Sequence, residues 1–209
     1  MKKTILKKRA ILIFIFIFLF TAGVYAQSSY TVRYGDTMWK IASRNQVGLS
    51  ELIAANPQIK NPALIYPGQK LTIPALTTTA QENEVIRLVN VERSRAGLQT
   101  LKTNWQLSRV ARYKSADMAQ PAPKGYFGHV SPTYGTPFQM MESFGLRFSA
   151  AGENIAYGQR TPAEVMNDWM NSPGHRNNIL SRSFTEIGVG LAKSKTGVCY
   201  WTQQFMKPL

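Results

Sequence analysis

The 209 residues contain only two histidines, His129 and His175. A carboxylate, Glu153, stands 24 residues after the first and 22 before the second. Two imidazoles and a carboxylate form the ligand set of some catalytic zinc sites, with one position left open. The same groups can instead hydrogen-bond one another across three segments, or shuttle protons as acid and base. No helical HExxH run is present, so only the fold can assemble them. Cys199, the single cysteine, is the other candidate for chemistry. A nucleophilic role would require a thiolate beside a base. It follows both histidines, in the strand-like run VCYWTQQF, where a small buried hydrophobe is the plainer reading.

Each candidate needs an element to carry it. His129 lies in Phe127-Gly128-His129-Val130-Ser131-Pro132, a Gly- and Pro-containing loop of the kind that often bears function. Gly152-Glu153 reads as turn-like. Thr161-Pro162-Ala163-Glu164 has a capping-box pattern with Pro at the first helical position, which assigns Glu164 to capping rather than chemistry. Val165 and Trp169, four apart, share one apolar face of that helix. Ser172-Pro173-Gly174 then stops it and delivers His175.

The surrounding scaffold reads as helices followed by strands. One helix carries Val85, Leu88 and Val89 and ends at Gly97. A second starts near Asn104, places Leu107, Val110, Ala111 and Met118 on one side, and ends before Pro121. A third runs from Thr136-Pro137 through Phe138, Met141 and Phe144 to Gly145. Their Met and aromatic stripes are expected to be core. Residues 186–192 and 198–205 read as strands, joined at 194–197 by a hairpin turn.

Residues 30–74 have a different character. Tyr30-Thr31-Val32 is a strand candidate, and Gly35-Asp36-Thr37 supplies a turn and a cap for a helix with Met38, Ile41 and Ala42. Gly48 breaks that run, and Ser50 is the expected cap of a second short helix that ends at Asn56-Pro57. Pro67-Gly68-Gln69 turns into a closing strand, Lys70-Leu71-Thr72-Ile73. The short run ALTTTA that follows lacks the length and Gly content of a long tether, so two units should lie near each other.

The N-terminus reads as an export signal. Lys2, Lys3, Lys7, Lys8 and Arg9 precede an 11-residue apolar run from Ala10 to Phe20, and Val24-Tyr25-Ala26 offers a cleavage site. An uncleaved anchor is the alternative. The chain carries a formal charge of +14, and removal of those five basic residues leaves +9. Such a chain is attracted to anionic wall polymers or lipid head groups. No long Lys/Arg cluster follows Arg9, which argues against nucleic acid. A lone cysteine in an exported chain excludes an internal disulfide, so packing must supply the stability.

Two resemblances organise these readings. YTVRYGDTMWKIA, LIAANP and NPALIYPGQKLTIP resemble a LysM domain. GENIA, TPAEVMNDWMNSPGHRNNIL, FTEIGVGLA and YWTQQF resemble a bacterial CAP-superfamily (SCP-like) domain. Together they imply an α+β chain: signal peptide 1–26, a small βααβ LysM domain 27–74, a linker 75–81, and an α/β/α sandwich CAP domain 82–209.

The LysM resemblance implies binding of N-acetylglucosamine-containing glycans, chiefly peptidoglycan or chitin. Its groove lies between two loops, here Gly35, Asp36, Thr37 and Met38 on one side and Ala63, Leu64, Ile65 and Tyr66 on the other. Asp36 is equally a helix-cap candidate, and Ile65 a core candidate. The CAP resemblance implies a cleft with two histidines and two acids. Glu153 matches the acid of the GEN motif, and His129 and His175 are assigned to the histidines. The second acid should follow Trp169 by three positions, where this chain has Ser172; Glu186 or Asp168 are the substitutes. Eukaryotic relatives are commonly disulfide-stapled, which this chain is not.

The expected function is that of an exported wall-associated protein with a LysM anchor and a CAP ligand-binding or interaction module, with a divalent metal such as zinc a candidate cofactor at His129, His175 and Glu153. Envelope proteins or lipids are further candidate partners. A peptidoglycan hydrolase or protease using the His/Glu cleft, and an assembly protein of the envelope or spore coat, are the alternatives.

Overall fold

The computed structural model describes residues 28–74, 80–121 and 124–209. The expected signal peptide lies outside the described residues, as does most of the expected linker. Among the described residues, no helix is long and apolar enough to cross a membrane.

The first unit is β1 (Ser28–Thr31), α1 (Met38–Arg44), α2 (Leu49–Ala54) and β2 (Lys70–Ile73), with the two strands antiparallel. Thr37 caps α1 by accepting a hydrogen bond from the Lys40 amide. Met38, Ile41, Leu52 and Leu71 pack into its core. Buried Asn56 fastens α2 to β2, because its Nδ2 donates to the carbonyls of Leu52 and Thr72 while its Oδ1 accepts from the Thr72 amide. The cap of α2 differs from expectation. Gly48 occupies it without a side-chain bond, and the Ser50 hydroxyl donates to Glu51 instead. A Cβ at Gly48 would fall on the ends of the Glu51 and Arg109 side chains.

The second unit begins with α3 (Ala80–Arg95), whose first two residues fall inside the stretch read as linker. It continues with β3 (Lys102–Thr103), α4 (Trp105–Met118), α5 (Pro137–Ser143), β4 (Phe148–Tyr157), α6 (Pro162–Asn171), α7 (Pro173–Ile179), β5 (Glu186–Lys193) and β6 (Cys199–Pro208). The strands form one sheet in the order β3-β5-β6-β4, parallel only at β3–β5. Helices cover both faces. Val85, Val89, Val165, Trp169 and Ile179 of α3, α6 and α7 pack on Ile187, Val189, Trp201 and Phe205 of one face. Leu107, Val110, Met140 and Met141 of α4 and α5 pack with Met206 on the other. This is the α/β/α sandwich that the CAP resemblance implies.

The strand IGVGLA shows how the layers come together. Ile187 and Val189 face one helix layer, while Gly188 and Gly190 alternate toward α4. A Cβ on Gly188 would collide with the backbone of Leu107 and Ser108, and one on Gly190 with that of Ala111 and Arg112. The glycines therefore bring α4 into backbone contact with β5. Where β3 stops, Glu82 of α3 serves the exposed edge of β5. It accepts from the Leu191 amide at 3.0 Å and from Arg112 Nη2 at 2.8 Å.

The Gly152-Glu153-Asn154-Ile155 run is a correction: it is the middle of the ten-residue strand β4, paired with β6, and no turn. Of that strand only Ile155 is β-branched, and its inward Glu153 and Asn154 are buried through hydrogen bonds rather than hydrophobicity. The short β3 is likewise absent from the sequence expectation.

Candidate functional site

β4 and β6 place Glu153 opposite Gln204 in register. The Glu153 side chain is 2% exposed, so its charge must be served by donors. Gln204 Nε2 donates to Oε2 at 2.5 Å. His129 Nδ1 lies 2.8 Å from Oε1. An ionised carboxylate can only accept, so in that pairing Nδ1 carries the hydrogen.

The loop that brings His129 to this pairing is fixed from below by Lys114 of α4. Its ammonium is buried and donates to Tyr126 Oη at 2.9 Å and to the carbonyls of Gly128 and His129, each at 2.8 Å. Burial lowers the Lys114 pKa, and the Glu153 and Asp117 charges oppose that shift. Asp117, one turn on, accepts from the hydroxyls of Tyr126, Ser131 and Thr133. Burial pushes the Tyr126 phenol well above its ordinary range. Neither Lys114 nor Asp117 stands out in the sequence. A charged residue inside a helical stretch reads as a solvent face, and the Gly-rich loop above it carries no mark of its partner.

His175 enters from the opposite wall. The Pro-Gly break does end α6, but Pro173 occupies the first turn of a new helix, α7, which carries the imidazole. Asn154, beside Glu153, donates to the His175 carbonyl at 3.0 Å, and Asn178 of α7 donates back to Asn154 Oδ1 at 2.8 Å. The two asparagines thus clip α7 onto β4. A Cβ at Gly152 would press on Phe184 and Asn178, so the glycine of this motif permits the same close approach. At α6, Thr161 accepts from the Glu164 amide, while the Glu164 carboxylate accepts from the Arg160 amide rather than from its cap residue. Glu164 is therefore engaged in helix initiation.

His129 and His175 line one cleft of about 420 Å³, together with Phe127, Tyr157, Asp168, Trp169 and Ser172. Glu153 sits behind His129 and not on the cleft wall. Desolvation lowers the His175 pKa, and the nearby His129 adds to the effect. Of the two acids proposed for the missing position, Asp168 lines the cleft, one helical turn before Ser172, and accepts from Gln159 Nε2 at 2.8 Å. Glu186 instead accepts from Asn104 at the start of α4.

The expected zinc ligand set does not assemble. Among the described residues no group of three or more His, Cys, Asp or Glu is placed to hold a metal ion. Both Glu153 oxygens are taken by His129 and Gln204, and coordination would break that buried pairing. Cys199 is buried in the core formed with α3 and α6, as its strand position suggests. Among the described residues, neither imidazole is hydrogen-bonded to a Ser, Thr or Cys side chain.

In the first unit the eight glycan candidates divide by exposure. Leu64 and Tyr66 are 52% and 55% exposed, and Ala63, Gly35 and Thr37 are also open to solvent. Gly35 takes a left-handed turn at φ +79° with open space around its Cα. Met38 is buried in the core, and Ile65 is half-buried against it. The Asp36 carboxylate accepts from Tyr30 Oη at 2.7 Å and from the Arg33 amide at 2.8 Å. The side chains of these three are engaged within the unit. Two exposed aromatics beside the first loop, Tyr34 and Trp39, lie outside the sequence-derived set.

Comparison with known proteins agrees with both resemblances. A LysM domain model matches residues 30–74, and a model described as the Cysteine-rich secretory protein family, CAP, matches residues 86–205. The chain is 48% identical over 151 residues to YkwD of Bacillus subtilis (strain 168), an uncharacterized protein, covering 72% of this chain and 56% of YkwD. It is similar in structure to an extracellular SCP-domain protein of Bacillus anthracis, with TM-score 0.56 and 32% identity over 68% of this chain and 47% of that one. An outer surface protein of Borrelia burgdorferi shares the fold at TM-score 0.57 and 20% identity, over 64% of this chain and 97% of its own. The chain thus spans about half the length of the first two of these relatives. With a CAP model matched over more than half its residues, behind a LysM match, the chain belongs to the Cysteine-rich secretory protein (CAP) family.

Proposed function

We propose that this chain is an exported, wall-associated binding protein. Its LysM unit holds it on a glycan containing N-acetylglucosamine, such as peptidoglycan, and its CAP unit presents a ligand-binding cleft. The observation that carries the reading is the pair of loops at 35–38 and 63–66. They leave Leu64 and Tyr66 exposed, with Tyr34 and Trp39 exposed beside the first loop, on a unit whose aliphatic side chains are otherwise mostly packed. Apolar side chains standing beside loop amides and carbonyls suit a sugar that carries an acetamido methyl. The same anchoring serves the vegetative wall and a spore envelope alike.

The hydrolase alternative has less support. The cleft has imidazoles and carboxylates, yet neither imidazole is bonded to a nucleophile, and Glu153 is enclosed behind His129. In the binding reading His129, held from behind by Glu153, is a fixed part of the cleft wall.

Sedimentation with purified peptidoglycan at high salt tests the anchor, since salt screens the attraction of a basic chain to an anionic polymer. The full chain should sediment under those conditions, and a Leu64→Asp/Tyr66→Ala variant should remain in solution. Equal sedimentation of both proteins would contradict the proposal. Lysis zones on a peptidoglycan gel would favour the hydrolase.

A further inference from the structure

Three aromatic rings stand in a row, and two of them, Phe127 and Tyr157, line the CAP cleft. Phe127 lies on the His129 loop, Tyr157 ends β4, and Tyr200 is its register partner in β6. The Phe127 and Tyr157 ring centroids are 4.6 Å apart, and those of Tyr157 and Tyr200 are 5.9 Å apart at an interplanar angle of 22°. Although flanked by a ring on each side, Tyr157 is 54% exposed, and Phe127 is 48% exposed. A contiguous apolar surface left in water beside a cleft marks a place where something binds. The row is also held rigid. Lys114 fixes the Gly128 carbonyl next to Phe127, and the β4–β6 ladder carries both tyrosines.

We propose that this aromatic row and the cleft behind it form a second saccharide subsite, which takes a pyranose of the same wall glycan that the LysM unit binds. A pyranose has apolar C–H faces and a rim of hydroxyls. Phe127 and Tyr157 offer the ring surface for the face, and Asp168, Ser172 and His175 offer polar groups within the same cleft for the rim. An acyl chain would leave those polar groups desolvated and unpaired, which disfavours a lipid. The choice of ligand rests on the wall-glycan reading of the LysM unit.

Calorimetric titration of the full chain with a soluble N-acetylglucosamine oligomer tests the subsite. Four proteins are compared: wild type, Leu64→Asp/Tyr66→Ala, Tyr157→Ala, and the two sets combined. The expected result is two sites per wild-type chain and one in each partial variant. The combined variant should show none, its remaining cleft affinity having fallen by roughly tenfold or more on loss of the stacking ring. If only the site removed by the LysM substitutions is present, the inference is overturned and the anchor reading stands. If only the site removed by Tyr157→Ala is present, the subsite stands and the anchor reading fails. No heat with wild type overturns both. Binding to anionic phospholipid vesicles that Tyr157→Ala abolishes, without a second sugar site, would replace the saccharide by a lipid. The exposed Tyr157 tolerates truncation, and Phe127→Ala gives the same readout through a second ring should the Tyr157 variant lose its melting transition.

Discussion

At Glu153, two donors converge on one buried carboxylate, and the consequences are specific. Glu153→Leu keeps much of the volume but removes both acceptors, leaving the buried Gln204 Nε2 donor unsatisfied. The cost should be about 1–3 kcal/mol, read by denaturant unfolding of the full chain. His175 gives a pH signature. Its pKa is lowered by desolvation and by His129, so the unfolded chain binds the proton more readily than the folded one. That contribution to stability is fully present above the ordinary histidine value of about 6.5 and is lost as pH falls toward the lower folded value. The melting temperature should therefore drop on acidification through that window, and His175→Gln should flatten the drop. An unchanged slope in the variant would contradict the burial of His175 in the cleft.

Among the elements, the sequence was legible where local rules and the fold agree. Thr136-Pro137, Asn104 and Thr161 cap helices as their types suggest, and the β5–β6 hairpin closes on Gly197. His129, Glu153 and His175 were also singled out as candidates, and the structure brings the imidazoles to one cleft with Glu153 behind His129. Their wiring was not. β4 has polar residues pointing inward, so alternation of hydrophobicity could not reveal it, and Lys114 is buried by three acceptors that lie in a loop 12 to 15 residues away. Lys114→Met should leave those acceptors unpaired, and amide hydrogen exchange should quicken across 126–131 while β5 and β6 stay protected. Gly190→Ala is the converse case. Its methyl would meet α4 backbone, so the loss should be at least about 1–3 kcal/mol, measured by chemical denaturation.

On the scale of the whole molecule, the two units meet through Arg109. Its guanidinium reaches Glu51 Oε1 at 2.7 Å, Glu51 Oε2 at 3.0 Å and Ser50 Oγ at 3.0 Å. It also lies 4.8 Å from the Phe144 ring centroid and 5.3 Å from that of Tyr113. Burial acts to raise the Glu51 pKa, but the Arg109 and Ser50 hydrogen bonds outweigh it and the net shift is downward. Partly exposed pairs contribute little to stability, about 0–1 kcal/mol, so Arg109→Ala should barely move the melting temperature. It should instead let the LysM unit tumble separately, as read by backbone relaxation. The central claim is that the LysM loops bind an N-acetylglucosamine glycan, and chemical-shift mapping of the full chain with such an oligomer tests it most directly. The account predicts shifts concentrated at the backbone amides of 35–38 and 63–66; a titration that leaves both loops unmoved would contradict it.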